Sequence, residues 1–236
     1  MPIHTISIII PVLNEASIIE ALLTHLSQKA TAGNISEICV IDGGSNDQTV
    51  GLVMKFSKTS PIAVHVFSSE RGRAKQMNFG AKKCKGSILY FLHADSNPPN
   101  GFDALIISQV NKQKLAGCFK MKFDSNHWWL KLASWCTGFN WRVCRGGDQS
   151  QFITKDLFEE IGGFDEQYTI YEDNILINEL YKRKQFVVIQ QWIVTSARLY
   201  QKKGIWRVQY HFLMIYMKKW LGGSADEIYK YYKKHI

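Results

Sequence analysis

The stretch Ile6-Ser7-Ile8-Ile9-Ile10-Pro11-Val12 is a short β-branched run with little polar alternation, and Leu13-Asn14-Glu15 closes it before apolar residues return at helical spacing from Ala16 to Gln28. Such a run is how a strand buried on both faces of a parallel sheet reads. The unit recurs. Glu37 to Ile41 passes through Gly43-Gly44 into a helical stretch with Val50, Val53, Met54 and Phe56; Ile62 to Phe67 passes into Ala74 to Lys83; Ser87-Ile88-Leu89-Tyr90-Phe91-Leu92 ends at His93-Ala94-Asp95. Strands alternating with helices predict right-handed βαβ crossovers and a mostly parallel α/β sheet flanked by helices, with ligands at the carboxyl ends of the strands.

After Pro98-Pro99 the rhythm changes. A helix is expected near Phe102 to Val110, a strand at Ala116 to Phe123, an aromatic segment from His127 to Trp141, and a strand at Gln151-Phe152-Ile153. A short helix begun by Thr154-Lys155-Asp156, a turn at Gly162-Gly163, a helix from about Glu172 to Arg183, a strand at Phe186 to Ile189 and one or two C-terminal helices follow. No repeat, low-complexity tract or linker interrupts the 236 residues, so one domain is expected, with a nucleotide-binding half over about 1–97 and an acceptor half with the C-terminal helices over about 98–236.

With 46% hydrophobic and 21% charged residues the chain is neither disordered, collagen-like nor a disulfide knot. A net charge of +9 draws it to nucleotides, nucleic acid or anionic lipid without choosing among them. Five cysteines without a C-x-x-C pair fit neither a disulfide framework nor a zinc site, so reduced thiols and a cytoplasmic location are expected. No signal-peptide pattern opens the sequence, and its most hydrophobic region, Ile205 to Leu221, is broken by Arg207, His211, Lys218 and Lys219, so no transmembrane span is expected.

Three polar loops fall where strands end: Asn14-Glu15, Asp42 and Asp95. A carboxylate there suits ribose hydroxyls, a base N–H or a divalent cation beside phosphate. Asn14 also reads as a helix cap, and Ser45 with Gln48 as an S-x-x-Q capping box in which Asp47 complements the helix dipole. Arg71-Gly72-Arg73-Ala74-Lys75 precedes a helix on the same rim and suits a diphosphate, or is a solvated basic turn. The absence of G-x-x-x-x-G-K-[ST], G-x-G-x-x-G and H-E-x-x-H removes P-loop, dinucleotide and zincin readings.

Pro11-Val12-Leu13-Asn14-Glu15, Asp42-Gly43-Gly44-Ser45-Asn46-Asp47-Gln48-Thr49, His93-Ala94-Asp95 and Glu172-Asp173, in this order and spacing, resemble family 2 glycosyltransferases of the Rossmann-like GT-A fold, over at least residues 6–183. Gly72-Arg73-Ala74-Lys75-Gln76-Met77-Asn78, with Gly80-Ala81 and Gly147-Asp148-Gln149, further resembles a small bacterial branch of undefined acceptor. The resemblance implies a nucleotide-diphosphate sugar donor, UDP-linked before GDP-linked. It implies nucleotide contacts from Pro11, Asn14, Glu15, Asp42, Gly44, Arg73, His93, Ala94 and Asp95, with Arg73 near the diphosphate. It also implies Mg²⁺ or Mn²⁺ on Asp95, and Asp173 as base of an inverting transfer. Where the family has D-x-D, this chain has His93; imidazole is a poor Mg²⁺ ligand, so His93 binds either Mn²⁺ or ribose and phosphate, and weak metal dependence is expected. The Q-x-x-R-W-type motif of processive synthases is missing, so one sugar per encounter is expected.

Asp148, Gln149 and Glu172 are candidates for the sugar or acceptor; the bland readings are a turn and first-turn acids of a helix. Trp128, Trp129, Trp135, Phe139 and Trp141 read as an acceptor platform or as core. From Ile205 to Leu221 a wide apolar surface beside a stripe of Arg207, His211 and Lys218 reads as buried, or as membrane contact bringing the enzyme, peripheral to the inner face, to a lipid-linked acceptor. Two alternatives stand: a nucleotidyltransferase, which would carry a Gly-rich loop where this chain has Asn14-Glu15, and a non-catalytic nucleotide-sugar or nucleic-acid binder. Nucleic acid is not expected, because acids at the strand ends repel a phosphate backbone.

Overall fold

The computed structural model describes residues 4–146 and 149–236. The front half alternates strand β1 (Ile6–Val12), helix α1 (Ile19–Lys29), β2 (Ile35–Asp42), α2 (Thr49–Ser57), β3 (Val64–Ser68), α3 (Arg73–Lys83) and β4 (Ile88–Phe91). The order β3-β2-β1-β4 is parallel throughout, with Ile8 of β1 between Ile38 and Tyr90. Both faces of β1 are buried: Ile8, Ile10 and Val12 cluster with Leu22 and Leu26 of α1 and Val53 of α2, while Ile9 clusters with Met77 and Ala81 of α3. This two-sided burial is why the run lacks polar alternation.

The back half adds β5 (Ser96–Asn97), α4 (Phe102–Asn111), β6 (Ala116–Phe123), α5 (Trp128–Cys136), β7 (Gln151–Thr154), α6 (Lys155–Ile161), α7 (Glu172–Lys182) and β8 (Phe186–Thr195), then helices α8 (Arg198–Lys203), α9 (Ile205–Trp220) and α10 (Ala225–His235). The sheet continues β4-β7-β6-β8-β5. β7 runs antiparallel to β4 and β6, β8 parallel to β6, and β5 antiparallel to β8, so the added half is mixed.

Two expectations change. The strand expected at Phe186 to Ile189 runs on to Thr195, because the polar pair Gln190-Gln191 forms an irregularity: Phe119 pairs with Ile189 and the next residue, Lys120, with Trp192. Three helices, rather than one or two, finish the chain.

Candidate active site

At the carboxyl ends of β1 and β2 the loops hold one another. Gln76, on α3, donates through Nε2 to the carbonyls of Val12 and Ile41 at 2.9 and 2.7 Å. Gly43 leaves room for this clip, since a Cβ there would lie 3.0 Å from the Gln76 amide. Asn14, at φ 57°, donates its N–H to Ser45 Oγ and accepts the Asn46 N–H on Oδ1, both at 2.9 Å. Asp47 accepts the N–H and hydroxyl of Thr49 and the N–H of Ala16. The expected capping box is therefore not formed: Gln48 is the N-cap of α2 without a side-chain bond, and Ser45 serves Asn14. Asn14 does not cap α1 either, which starts at Ile19.

Beside these loops lies a cavity of about 790 Å³. Six of the sequence-predicted residues meet on its wall: Pro11, Glu15, Arg73, His93, Ala94 and Asp95. Asn14, Asp42 and Gly44 are not on the wall: Asn14 and Gly44 are exposed in the adjoining loops. Asp42 is buried, and its carboxylate accepts the N–H groups of Gly44 and Ser45 at 3.0 and 3.1 Å, which shapes the loop.

Arg73 opens α3 and faces the cavity. Its Nε lies 3.3 Å from Glu172 Oε1 and its Nη1 3.4 Å from Asp173 Oδ2. Both acids are buried in the first turn of α7, where the helix dipole favours negative charge. They are not on the cavity wall, but Arg73 joins them to it, and Thr169 and Ile170, just before their helix, line it. Tyr171, just before the two acids, sits at φ 79°, left-handed backbone uncommon for a bulky residue, and its ring packs edge-on against Tyr216 of α9 at 5.3 Å.

Gln149 is not brought to the cavity. Its Oε1 accepts from Arg145 Nη1 at 3.0 Å and its Nε2 donates to the Cys144 carbonyl at 3.1 Å, inside a buried network. Asp148 lies outside the described residues.

The wall also contains residues that the sequence reading missed. Arg198 of α8 grips Glu15 through both Nη atoms at 3.1–3.2 Å, and Lys202, Tyr229 and Tyr232 join it from α8 and α10. Ser196 N–H donates to the Asp95 carbonyl at 3.2 Å, so the end of β8 brings Arg198 to the rim. Applying the strand-end rule to Thr195 would have found Arg198, had the strand been followed past Gln190-Gln191. Nothing local marks the two tyrosines.

For a divalent cation, the Asp95 carboxylate is a hard oxygen donor on the wall, with His93 two residues before it. Asp95 alone fits Mg²⁺ or Mn²⁺ completed by phosphate oxygens and water, and His93 as a further ligand suits Mn²⁺ only. Among the described residues a tighter group of ligating atoms, on Glu37, Cys39 and Cys84, is buried near the amino end of β2, away from this rim. There Glu37 Oε1 already accepts the Ser7 hydroxyl and the Lys85 N–H.

Residues 7–164 match the sequence model of Glycosyl transferase family 2. A PGL/p-HBAD biosynthesis glycosyltransferase of Mycobacterium bovis (strain BCG) is 33% identical over 174 residues, 71% of this chain and 66% of that protein. An undecaprenyl-phosphate 4-deoxy-4-formamido-L-arabinose transferase of Pseudomonas fluorescens is 32% identical over 110 residues, 44% of this chain and 32% of that protein. The chain thus spans about a third of the length of one curated relative and 66% of the other. A mannosyltransferase from Pyrobaculum calidifontis, solved with GDP-Man and Mn²⁺, has a TM-score of 0.67 at 19% identity over 90% of this chain and 62% of that one, a likeness of fold. The architecture is the expected GT-A one.

Proposed function

The chain belongs to glycosyl transferase family 2, and on that premise we propose that its cavity takes a nucleotide-diphosphate sugar and passes one sugar, with inversion, to an acceptor hydroxyl. The observation that carries this reading is the position of Arg73, on the cavity wall and within 3.4 Å of Asp173. Arg73, with Arg71, Arg198 and Lys202 on the same wall, offers cations to the diphosphate. Pro11, Glu15, Ala94 and His93 border the nucleoside, over a loop shaped by Asn14, Asp42 and Gly44. Asp95 would hold Mg²⁺ or Mn²⁺, which when bound adds positive charge beside the departing phosphate.

In the transfer the acceptor oxygen bonds to the anomeric carbon while its proton passes to Asp173. The bond from that carbon to the diphosphate oxygen breaks, and its electron pair leaves with the nucleoside diphosphate. Glu172, buried against Arg73, holds the guanidinium between base and leaving group. The name of the Pseudomonas relative supports a lipid-linked acceptor. Calorimetric titration with UDP and GDP, each with and without Mn²⁺, tests the reading. Binding of at least one, strengthened by Mn²⁺, is expected; no binding in any arm overturns it.

A further inference from the structure

Helix α9 buries Val208 and Ile215, seven residues apart, and an ordinary surface helix would then be polar on its other side. It is not. Trp206, Tyr210, Leu213, Met217 and Trp220 recur at i, i+4, i+7, i+11 and i+14, and all are exposed, Trp220 by 84%. At about 100° per residue they share an arc of roughly 80° facing away from the body. Helix α5 repeats the device: Trp128, Leu132 and Trp135 are exposed at i, i+4 and i+7, while Leu130 is buried.

The two stripes join. The Trp206 ring lies 5.9 Å from Trp128 and 5.3 Å from Trp129, and Trp135 packs on Phe139, which stacks on exposed Trp141. Six of the seven tryptophans of the chain fall in this region. At the far end of α9, Leu221 borders a groove of about 560 Å³ shared with Lys218, Lys230 and Lys234. The acid of that groove, Glu227, is committed to the Ser224 N–H at 3.0 Å. From Ile205 to Ile236 six Lys and Arg face two acids.

No helix of the described residues is long and apolar enough to cross a membrane. An exposed aromatic surface rimmed by lysine has the chemistry of the bilayer interface, where indole and phenol rings settle at headgroup depth and cations meet lipid phosphate. We propose that α5, Trp141 and α9 form a docking face for an anionic bilayer, with Lys218, Lys230 and Lys234 on headgroup phosphates. Because Tyr216 of α9 packs on Tyr171 beside Glu172, docking would bring the acceptor side of the cavity to the lipid surface; that consequence rests on the transferase reading, while docking itself does not.

Co-sedimentation of the full chain with phosphatidylcholine vesicles, with and without phosphatidylglycerol, tests this, with tryptophan emission as a second readout. Binding to the anionic vesicles, weakened by salt and accompanied by a blue shift, is expected. Lys230→Gln/Lys234→Gln, both exposed, should lower partitioning roughly 25-fold, at about fivefold per cation. Leu213→Glu/Trp220→Glu and, separately, Trp135→Glu should abolish it with unchanged circular dichroism. Failure of the wild type to sediment with either vesicle overturns the proposal. So does equal binding by the variants, or a stable dimer in sedimentation velocity that Leu213→Glu/Trp220→Glu dissolves, since a second copy would then own the face. Nucleotide titration of the same samples reports on the donor site separately.

Discussion

Asp173 and Glu172 share one arginine, yet only Asp173 is assigned the proton. Asp173→Asn keeps shape but cannot accept it, so transfer should fall by roughly 10²–10⁴ with nucleotide affinity within a few-fold, whereas Glu172→Gln should cost transfer much less. Single-turnover assays with calorimetry on both variants check this ranking, and the reverse order would give the base role to Glu172. Asp95→Ala should remove the Mn²⁺-dependent part of UDP or GDP affinity and leave the metal-free part, as read by titration with and without the ion. The Asp47 carboxyl lies below the usual carboxylate range, chiefly because the Thr49 hydroxyl donates to it and secondarily because the Thr49 N–H does. A depressed carboxylate stabilises the fold above its unfolded value of about 3.9, and that contribution is lost as pH falls through the folded value. Urea midpoints of wild type and Asp47→Asn should therefore differ at neutral pH and converge in acid.

Helix α3 carries both Arg73 and Gln76, so its seat on the sheet governs the site. A Cβ at Gly80 would lie 2.6 Å from Ile9 Cγ2, which leaves the helix no room to approach β1 with a side chain there. Gly80→Ala should lower stability by about 1–3 kcal/mol in urea unfolding and weaken nucleotide binding, despite the better helix propensity of alanine. At this scale the front half was legible in the sequence: Ile8 and Ile9 face opposite layers, both apolar, and the recurrence of such β-branched runs between helical stretches marks them as parallel strands. The strand-end rule found Glu15 and Asp95 for the same reason. Strand β8 was cut short because a bulge at Gln190-Gln191 looks like a loop, and Arg198 was lost with it. Ser45 misled because hydroxyls that cap helices also bridge loops, and only tertiary contact with Asn14 decides which. Tyr229 and Tyr232 reach the cavity through the return of α10, which no local pattern encodes.

For the whole molecule, a ligand at about 100 times its Kd adds about 2.7 kcal/mol of apparent stability. A chain of this size should then melt roughly 5–10 °C higher with the right nucleotide sugar, a shift that thermal denaturation can rank across donors. The cavity wall extends from Pro11 to Tyr232, with contributions from β1, α3, the β4 end, α8 and α10. At translation rates of about 5–20 residues per second, roughly 10–40 s separate the making of these two residues on the ribosome. Until Tyr232 has been made, a nascent chain therefore holds an incomplete wall. Small molecules that rescue a destabilised variant through this cavity will act only on chains already made past Tyr232, so they should raise the survival of such chains without altering the folding events that precede it.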